Sequence, residues 1–309
     1  MRVIENIREC PADLPPTVLT VGSFDGVHRG HQRILAELLG VATERGQTAA
    51  VLTMRPHPRE LFSPDHAPNL LTCDKMKTRL IEAAGLDLLL FVEFTREVAD
   101  QDHGAFVDEV LCGLCNAQAL IVGHDFCFGK DALGDYDFLK SVGPQRGFEV
   151  RQVPPLIVDG ERVSSTLVRE RVLQGDLEKA ELFLGRKYAV LGTVIPGHGI
   201  GARLGFPTAN IEPRHSAVPA QGVYIAEAVL GDCRRPAAVN IGIAPTIRQK
   251  DIVIEAHLVD FDRDIVGADI EIVFHKRLRS EKKFQGRAEL AEQIARDVAA
   301  VREHFDTPG

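Results

Sequence analysis

The sequence predicts a chain in two parts, an α/β domain built on a parallel sheet followed by a small antiparallel β-barrel with a closing helix. Three observations predict it. Up to Gly185–Lys187, strand-sized apolar runs alternate with amphipathic helical stretches, the rhythm of βαβ units with right-handed crossovers. Beyond that point the texture changes to short β-type runs at regular intervals, broken by Gly and Pro. The length of 309 residues suits two cores, because a single core stops growing near this size. The expected domains are 1–186 and 187–309.

With 45% hydrophobic and 26% charged residues the composition is that of an ordinary globular protein. A formal net charge of −8 argues against a general affinity for nucleic acid or an anionic membrane, so any nucleotide must be held by local donors. Met1 to Pro16 lacks the apolar core of a signal peptide, and no apolar run approaches a membrane span. Six scattered cysteines suit a reducing compartment, and a cytoplasmic location is expected. Cys112-x-x-Cys115 lies inside a helical pattern without a second pair, and reads as two core or semi-buried thiols.

In chain order, the first apolar run is Thr17 to Val21, which leads into Gly22-Ser23-Phe24-Asp25-Gly26-Val27-His28-Arg29-Gly30-His31 and then a helix from about Gln32 to Glu44. A strand that turns through glycines straight into a helix gathers unpaired backbone N–H groups at one point, which attracts phosphate. If the helix begins near Arg29, His28 and His31 share one face beside its positive end. Strand Thr48 to Met54 ends in Arg55-Pro56-His57-Pro58-Arg59, an extended loop with two arginines. Helix Cys73 to Ala84, strand Leu86 to Val92, helix His103 to Cys115 and strand Gln118 to Val122 continue the alternation. The last of these strands runs into Gly123-His124-Asp125-Phe126-Cys127-Phe128-Gly129, where Phe126 or Phe128 could pack on a flat ring while Asp125 orients a polar group. A helix near Tyr136 to Leu139, a strand Phe148 to Val153 and a hairpin through Asp159-Gly160 follow. Then Ser164-Ser165-Thr166 precede a helix with Arg169 one turn inside, a capping pattern that also makes an anion site.

The second part reads as strands Tyr188 to Ile195, Gly222 to Leu230, Ala237 to Ile243, Ile252 to Phe261 and Ile270 to Phe274, closed by a helix Arg287 to His304 with Leu290, Ile294, Val298 and Val301 on one face. Gly197-His198-Gly199-Ile200-Gly201 opens a flexible loop that ends in Gly205-Phe206-Pro207-Thr208-Ala209-Asn210. In extended chain Thr208 and Asn210 point to one side, which suits a hard cation such as Mg²⁺ that keeps water and phosphate oxygens as its other ligands. In Ile252 to Leu258, alternation puts Glu255 and His257 on one face.

Gly22-x-Phe24-Asp25-Gly26-Val27-His28-x-Gly30-His31 resembles the phosphate-binding signature of the nucleotidyltransferase superfamily. Its fuller form, with Gly-x-Asp-Phe-x-Phe-Gly at 123–129 and Ser-Ser-Thr-x-x-Arg at 164–169, looks like the bacterial bifunctional riboflavin kinase and FAD synthetase family. Gly-Phe-Pro-Thr-Ala-Asn at 205–210 and Glu-x-His at 255–257 resemble that family's kinase signatures, with support from Gly222-Val223-Tyr224, Asn240-Ile241-Gly242, Pro245-Thr246 and Leu278 to Phe284. The resemblance covers nearly the whole chain. It implies that Gly22, Phe24, Asp25, His28, His31, Ser164, Ser165, Thr166 and Arg169 bind ATP for adenylylation of FMN, beside a flavin pocket with Asp125, Phe126 and Phe128. For the kinase it implies ATP at Gly197, Gly199 and Gly201, Mg²⁺ at Thr208 and Asn210, flavin at Asn210, and Glu255 as the base. His28 and His31 would stabilise charge on the leaving pyrophosphate. The chain departs from the family pattern at Met54 and Arg55, at Ala202, at Ala244 and at Val266.

The expected function is therefore two-step flavin cofactor synthesis, riboflavin to FMN and FMN to FAD, with ATP and Mg²⁺ and only small-molecule partners. Oligomeric state is not legible. Two rivals stand beside it: only the adenylyltransferase half active, suggested by the replaced arginines, or a non-catalytic flavin-binding regulator, which would need no base at Glu255.

Overall fold

A computed structural model describes residues 1–197, 199–245 and 250–306. His198 and Thr246 of the sequence motifs lie outside the described residues. The chain divides into two compact units, Met1–Pro68 with Asp74–Ser164, and Asn69–Cys73 with Ser165–Gly309.

The first unit is a six-stranded sheet in the order β1-β4-β3-β2-β5-β8, parallel throughout. Its strands are β1 (Arg2–Ile4), β2 (Thr17–Val21), β3 (Thr48–Arg55), β4 (Leu88–Glu93), β5 (Ala117–Gly123) and β8 (Glu149–Val153). Alternate residues feed opposite faces, as the pleat requires. Val18, Val51, Leu89 and Ile121 pack on one side with Leu35 and Leu38 of α1 (Arg29–Arg45) and Ile81 of α3 (Asp74–Ala83). Leu19, Leu52, Leu90 and Leu120 pack on the other with Phe106, Val107 and Leu111 of the helical stretch that opens as α5 (His103–Ala105). That stretch continues as Phe106–Leu114 with wider π-type winding, and Cys115 N–H donates to the Val110 carbonyl at 2.9 Å. Cys115 is in the core, with Cys10 and Cys112 at its edge, and burial raises the pKa of all three thiols.

Short helices α2 (Pro58–Phe62) and α4 (Arg96–Ala99) follow β3 and β4. A hairpin of β6 (Cys127–Phe128) with β7 (Gly134–Asp135) follows β5, then α6 (Tyr136–Arg146), and a second hairpin joins β9 (Ile157–Val158) to β10 (Glu161–Arg162). From β2 the chain winds one way to β3 and β4, then returns to lay β5 on the other side of β2. The strand order reverses there, and at such a switch point the loops beyond the carboxyl ends leave a crevice for ligand. The turns after β2 and after β5 both emerge at it.

The second unit opens with α7 (Ser165–Gln174) and α8 (Leu177–Leu184), so residues 165–186, expected to end the first domain, group by contact with the second unit. Asn69–Cys73 belongs here too: Leu70 N–H donates to Ser216 Oγ at 2.8 Å, and Ala217 N–H to the Leu70 carbonyl at 2.9 Å. Six antiparallel strands close a barrel in the order β11-β12-β15-β14-β13-β16. They are β11 (Ala189–Ile195), β12 (Ala209–Pro213), β13 (Gly222–Leu230), β14 (Cys233–Pro245), β15 (Lys250–Leu258) and β16 (Asp269–Arg279), and α9 (Ile200–Arg203) lies between β11 and β12. Tyr224, Val239, Ile254, Ala256, Ile272 and Phe274 fill the barrel. Residues of opposite parity face outward, where Ile225, Ala238 and Val259 receive Val298 and Val301 of the closing helix α10 (Arg287–Asp306).

Candidate functional site

The turn after β2 is built from compact, strained backbone. Gly22 N–H donates to the Leu52 carbonyl at 3.0 Å, and Phe24 and Val27 adopt positive φ of 49° and 40°. These turn the chain so that α1 starts at Arg29 with His28 as its N-cap. His28 Nδ1 accepts from the His31 amide at 3.2 Å, and the two imidazoles stack with centroids 3.7 Å apart at 16°. A ring nitrogen that accepts carries no proton, so the proton of a neutral His28 sits on Nε2. Gly30 is required by close approach. A Cβ there would lie 3.0 Å from the His28 ring and 3.5 Å from the Val163 carbonyl, the residue before Ser164. Asp25 and His28 are only 2% and 5% exposed, so both polar groups are held in a fixed frame. Lys77 of α3 is buried with this turn; burial lowers its pKa, while Asp74 and Asp25 pull it back up.

Beside the turn, the carboxyl ends of β2, β3 and β4 open onto an apolar cavity of about 370 Å³ lined by Leu52, Met54, Phe62, Val92, Phe126 and Phe128 among others. Phe126 and Phe128 stack at 5.4 Å and 23°, and Phe106 backs Phe128 at 5.4 Å. The structure thus brings the two expected phenylalanines together as one wall. Asp125 lies apart from that lining: its carboxylate is 3.7 Å from His124 Nδ1 and 3.7 Å from Arg162 Nη2. Arg162 Nη1 donates to His124 Nε2 at 2.8 Å, which leaves the His124 proton on Nδ1, toward Asp125. Of the third motif, Ser164 ends the first unit, whereas Ser165, Thr166 and Arg169 begin α7 in the second, where Arg169 Nε donates to the Asn69 carbonyl at 2.6 Å.

The second unit has its own cavity, about 320 Å³, between the outer face of the barrel and α10. Glu255 stands in its wall, paired across strands with Asn210 of β12 on one side and Asn240 of β14 on the other. Its neighbours Ile254 and Ala256 point into the barrel and fix the carboxylate outward. His257, two residues on and on the same face, donates from Nδ1 to the Pro207 carbonyl at 2.8 Å, with its ring edge-on to Phe206 at 5.6 Å. The bond ties the Phe206-Pro207 stretch to β15 and so sets Thr208, which lines the same cavity. Gly197 passes against the Asn210 amide too closely for any side chain, and Gly201 also lines the cavity. Glycine at 199 adopts φ of 66° at the start of α9. Thr208, Asn210 and Glu255 present a hydroxyl, an amide and a carboxylate, an all-oxygen donor set that fits Mg²⁺.

The far wall comes from the Leu278 to Phe284 stretch singled out in the sequence and from the closing helix, which carries no motif of its own. Leu290, Ile294 and Asp297 of α10 and Arg279, Glu281, Lys282 and Phe284 before it complete the lining. Arg162, Lys77 and Asp297 are the residues that sequence reasoning missed. Each is a charged side chain whose meaning depends on a partner from another element.

Residues 10–167 match the family model described as FAD synthetase, and residues 184–305 the one described as riboflavin kinase. The chain is 37% identical over 306 residues to the bifunctional riboflavin kinase/FMN adenylyltransferase of Escherichia coli K12, covering 99% of this chain and 97% of that one. It is 36% identical over 295 residues to the Bacillus subtilis protein of the same name, covering 94% and 92%. A crystal structure described as a macrolide-efflux protein from Streptococcus pneumoniae superposes with a TM-score of 0.87 at 25% identity, over 97% of this chain and 98% of that one.

Proposed function

The chain belongs to the bifunctional riboflavin kinase/FMN adenylyltransferase family, and from that premise we propose how its residues divide the two reactions. The protein phosphorylates riboflavin to FMN and adenylylates FMN to FAD. In the first reaction Glu255 accepts the proton of the terminal ribityl hydroxyl as that oxygen bonds to the γ-phosphorus of ATP and the bond to ADP breaks. Phosphoryl transfer leaves little covalent chemistry to the protein, so placing the hydroxyl in line matters as much as the base. Thr208 and Asn210 would hold Mg²⁺, which supplies charge neutralisation across the phosphates. Asn240 and His257 keep the carboxylate and the Thr208 stretch in register.

In the second reaction a phosphate oxygen of FMN bonds to the α-phosphorus of ATP, and pyrophosphate leaves. His28 and His31 stabilise the charge that develops on the pyrophosphate, with the first-turn amides of α1 beside them. Phe126 and Phe128 take the isoalloxazine ring in the apolar cavity, and Asp125, held by His124 and Arg162, orients polar groups of the ligand. The cytoplasm, where six free thiols persist, is the compartment that suits the chain. Among the described residues no helix is long and apolar enough to cross a membrane.

The observation that supports this division best is that Glu255 and Thr208 line a cavity made wholly by the second unit, whereas Phe126 and Phe128 line one made wholly by the first, beside the turn that carries His28 and His31. Chromatographic product analysis tests it. Glu255→Gln should make no FMN from riboflavin yet convert FMN to FAD at the wild-type rate; His28→Ala should make FMN and no FAD. Loss of both products in either variant would refute the two-site assignment.

A further inference from the structure

Arg279 ends β16, and its guanidinium leaves the barrel to meet α10. Nε lies 3.1 and 3.2 Å from the two carboxylate oxygens of Asp297, and Nη2 donates to Oδ2 at 2.7 Å. Asp297 is 6% exposed and accepts a further bond from Gln293 Nε2 at 2.9 Å. A carboxylate withdrawn from water this far is costly unless fully paired, and such a pair contributes more to fixing geometry than to stability. Between Arg279 and α10 runs a segment without helix or strand, and it carries Glu281, Lys282 and Phe284 to the lining of the cavity that holds Glu255. Arg279 Nη1 donates to the Ser280 carbonyl at 3.1 Å, and its Cζ lies 5.9 Å from the Phe284 ring. At the far end Glu289 of α10 receives Lys282 at 2.9 Å and the Gln285 amide at 2.9 Å. The segment is therefore pinned at two points on one helix, and the forked Arg279–Asp297 pair is the buried one.

We propose that Asp297 is a positioning residue of the kinase reaction, which through Arg279 holds residues 280–284 against the cavity that receives riboflavin. It touches neither the reacting hydroxyl nor the phosphates, so its loss acts on flavin binding rather than on the chemical step. The inference rests on assigning the kinase reaction to the cavity of Glu255. Asp297→Asn keeps the shape and the contact with Gln293 and removes the charge that orders the guanidinium.

The test is steady-state kinetics of the full chain. In Asp297→Asn the KM for riboflavin should rise about 10- to 100-fold, the range expected for losing a charge-assisted bond, with kcat and the KM for MgATP little changed. Asp297→Glu should recover part of the riboflavin affinity, and Arg279→Lys, which keeps the charge and loses the fork, should shift the same constant. FMN adenylylation by the same preparations should stay at the wild-type rate. A riboflavin KM at the wild-type value in both Asp297→Asn and Arg279→Lys overturns the proposal, as does an equal rise in both KM values or a fall in kcat alone. Glu255→Gln run in parallel separates the two readings: full FMN production by that variant removes the site itself, whereas its silence beside an unaffected Asp297→Asn removes only the positioning role.

Discussion

At the scale of single residues, both sites depend on side chains that hold others in place. His257 donates to the Pro207 carbonyl at 2.8 Å and so ties down the stretch that ends in Thr208. A neutral hydrogen bond of this kind is worth about 1 kcal/mol, while misplacing a reacting group can cost about 100-fold in rate. His257→Ala should therefore slow FMN formation by about 10- to 100-fold, far more than it lowers stability, and leave FMN adenylylation unchanged; assays of both products with a melting curve check this. In the other unit, Gly30→Ala would drive a methyl to 3.0 Å from the His28 ring. Either His28 or the start of α1 must shift, so FAD formation should fall about tenfold or more with FMN formation intact. The sequence made His28, His31 and Glu255 legible because their motifs are local in the chain. Arg162 acquires its meaning from His124, 38 residues away, and Asp297 from Arg279 across a loop. A lone charge on a helix carries no such signal.

At the scale of elements, the apolar pattern placed β2 and β13 at their observed bounds, because buried parallel strands and barrel hairpins are written as continuous or alternating apolar runs. Elsewhere tertiary context overrode composition. β12 was not expected because it is short and carries the polar Asn210 and Glu212, and it exists through pairing with β11 and β15. β14 begins at Cys233, ahead of Pro236 and of the expected start at Ala237, and α6 runs past the expected Leu139 through Pro144 to Arg146. The closing helix was legible from its apolar face, but what that face covers was not.

Val301 is fully buried against the barrel, so Val301→Ala should destabilise the second unit by about 2 kcal/mol, read as a lowered denaturant midpoint. The far end of the same helix carries a pH dependence. His275 Nδ1 sits 3.1 Å from His304 Nε2, and burial first, then Lys187 and His304, push the His275 pKa down to about 4 against the opposing pull of Glu227 and Glu181. Between its ordinary value of 6.5 and about 4 the unfolded chain binds a proton that the folded chain does not. This contribution to stability is complete above that window and is lost as pH falls through it. Melting of the wild type should drop over that range, and His275→Gln should flatten the drop.

At the scale of the whole molecule, the question is whether the two reactions need each other. The cavity of Glu255 takes every lining residue from the second unit and the phenylalanine cavity every one from the first. A flavin held at either place makes its contacts within one unit, and the product of the first reaction carries the phosphate that is the nucleophile of the second. If each site completes its own chemistry, FMN can pass between them through solvent, and the two need not sit on one polypeptide. Glu255→Gln and His28→Ala, each unable to make FAD from riboflavin, should then restore FAD when mixed, with a lag while FMN accumulates. Excess riboflavin should lengthen the lag only if it competes for the adenylylation site. A continued absence of FAD in the mixture, with FMN present and Glu255→Gln active on added FMN, would mean that FMN is retained by the chain that makes it.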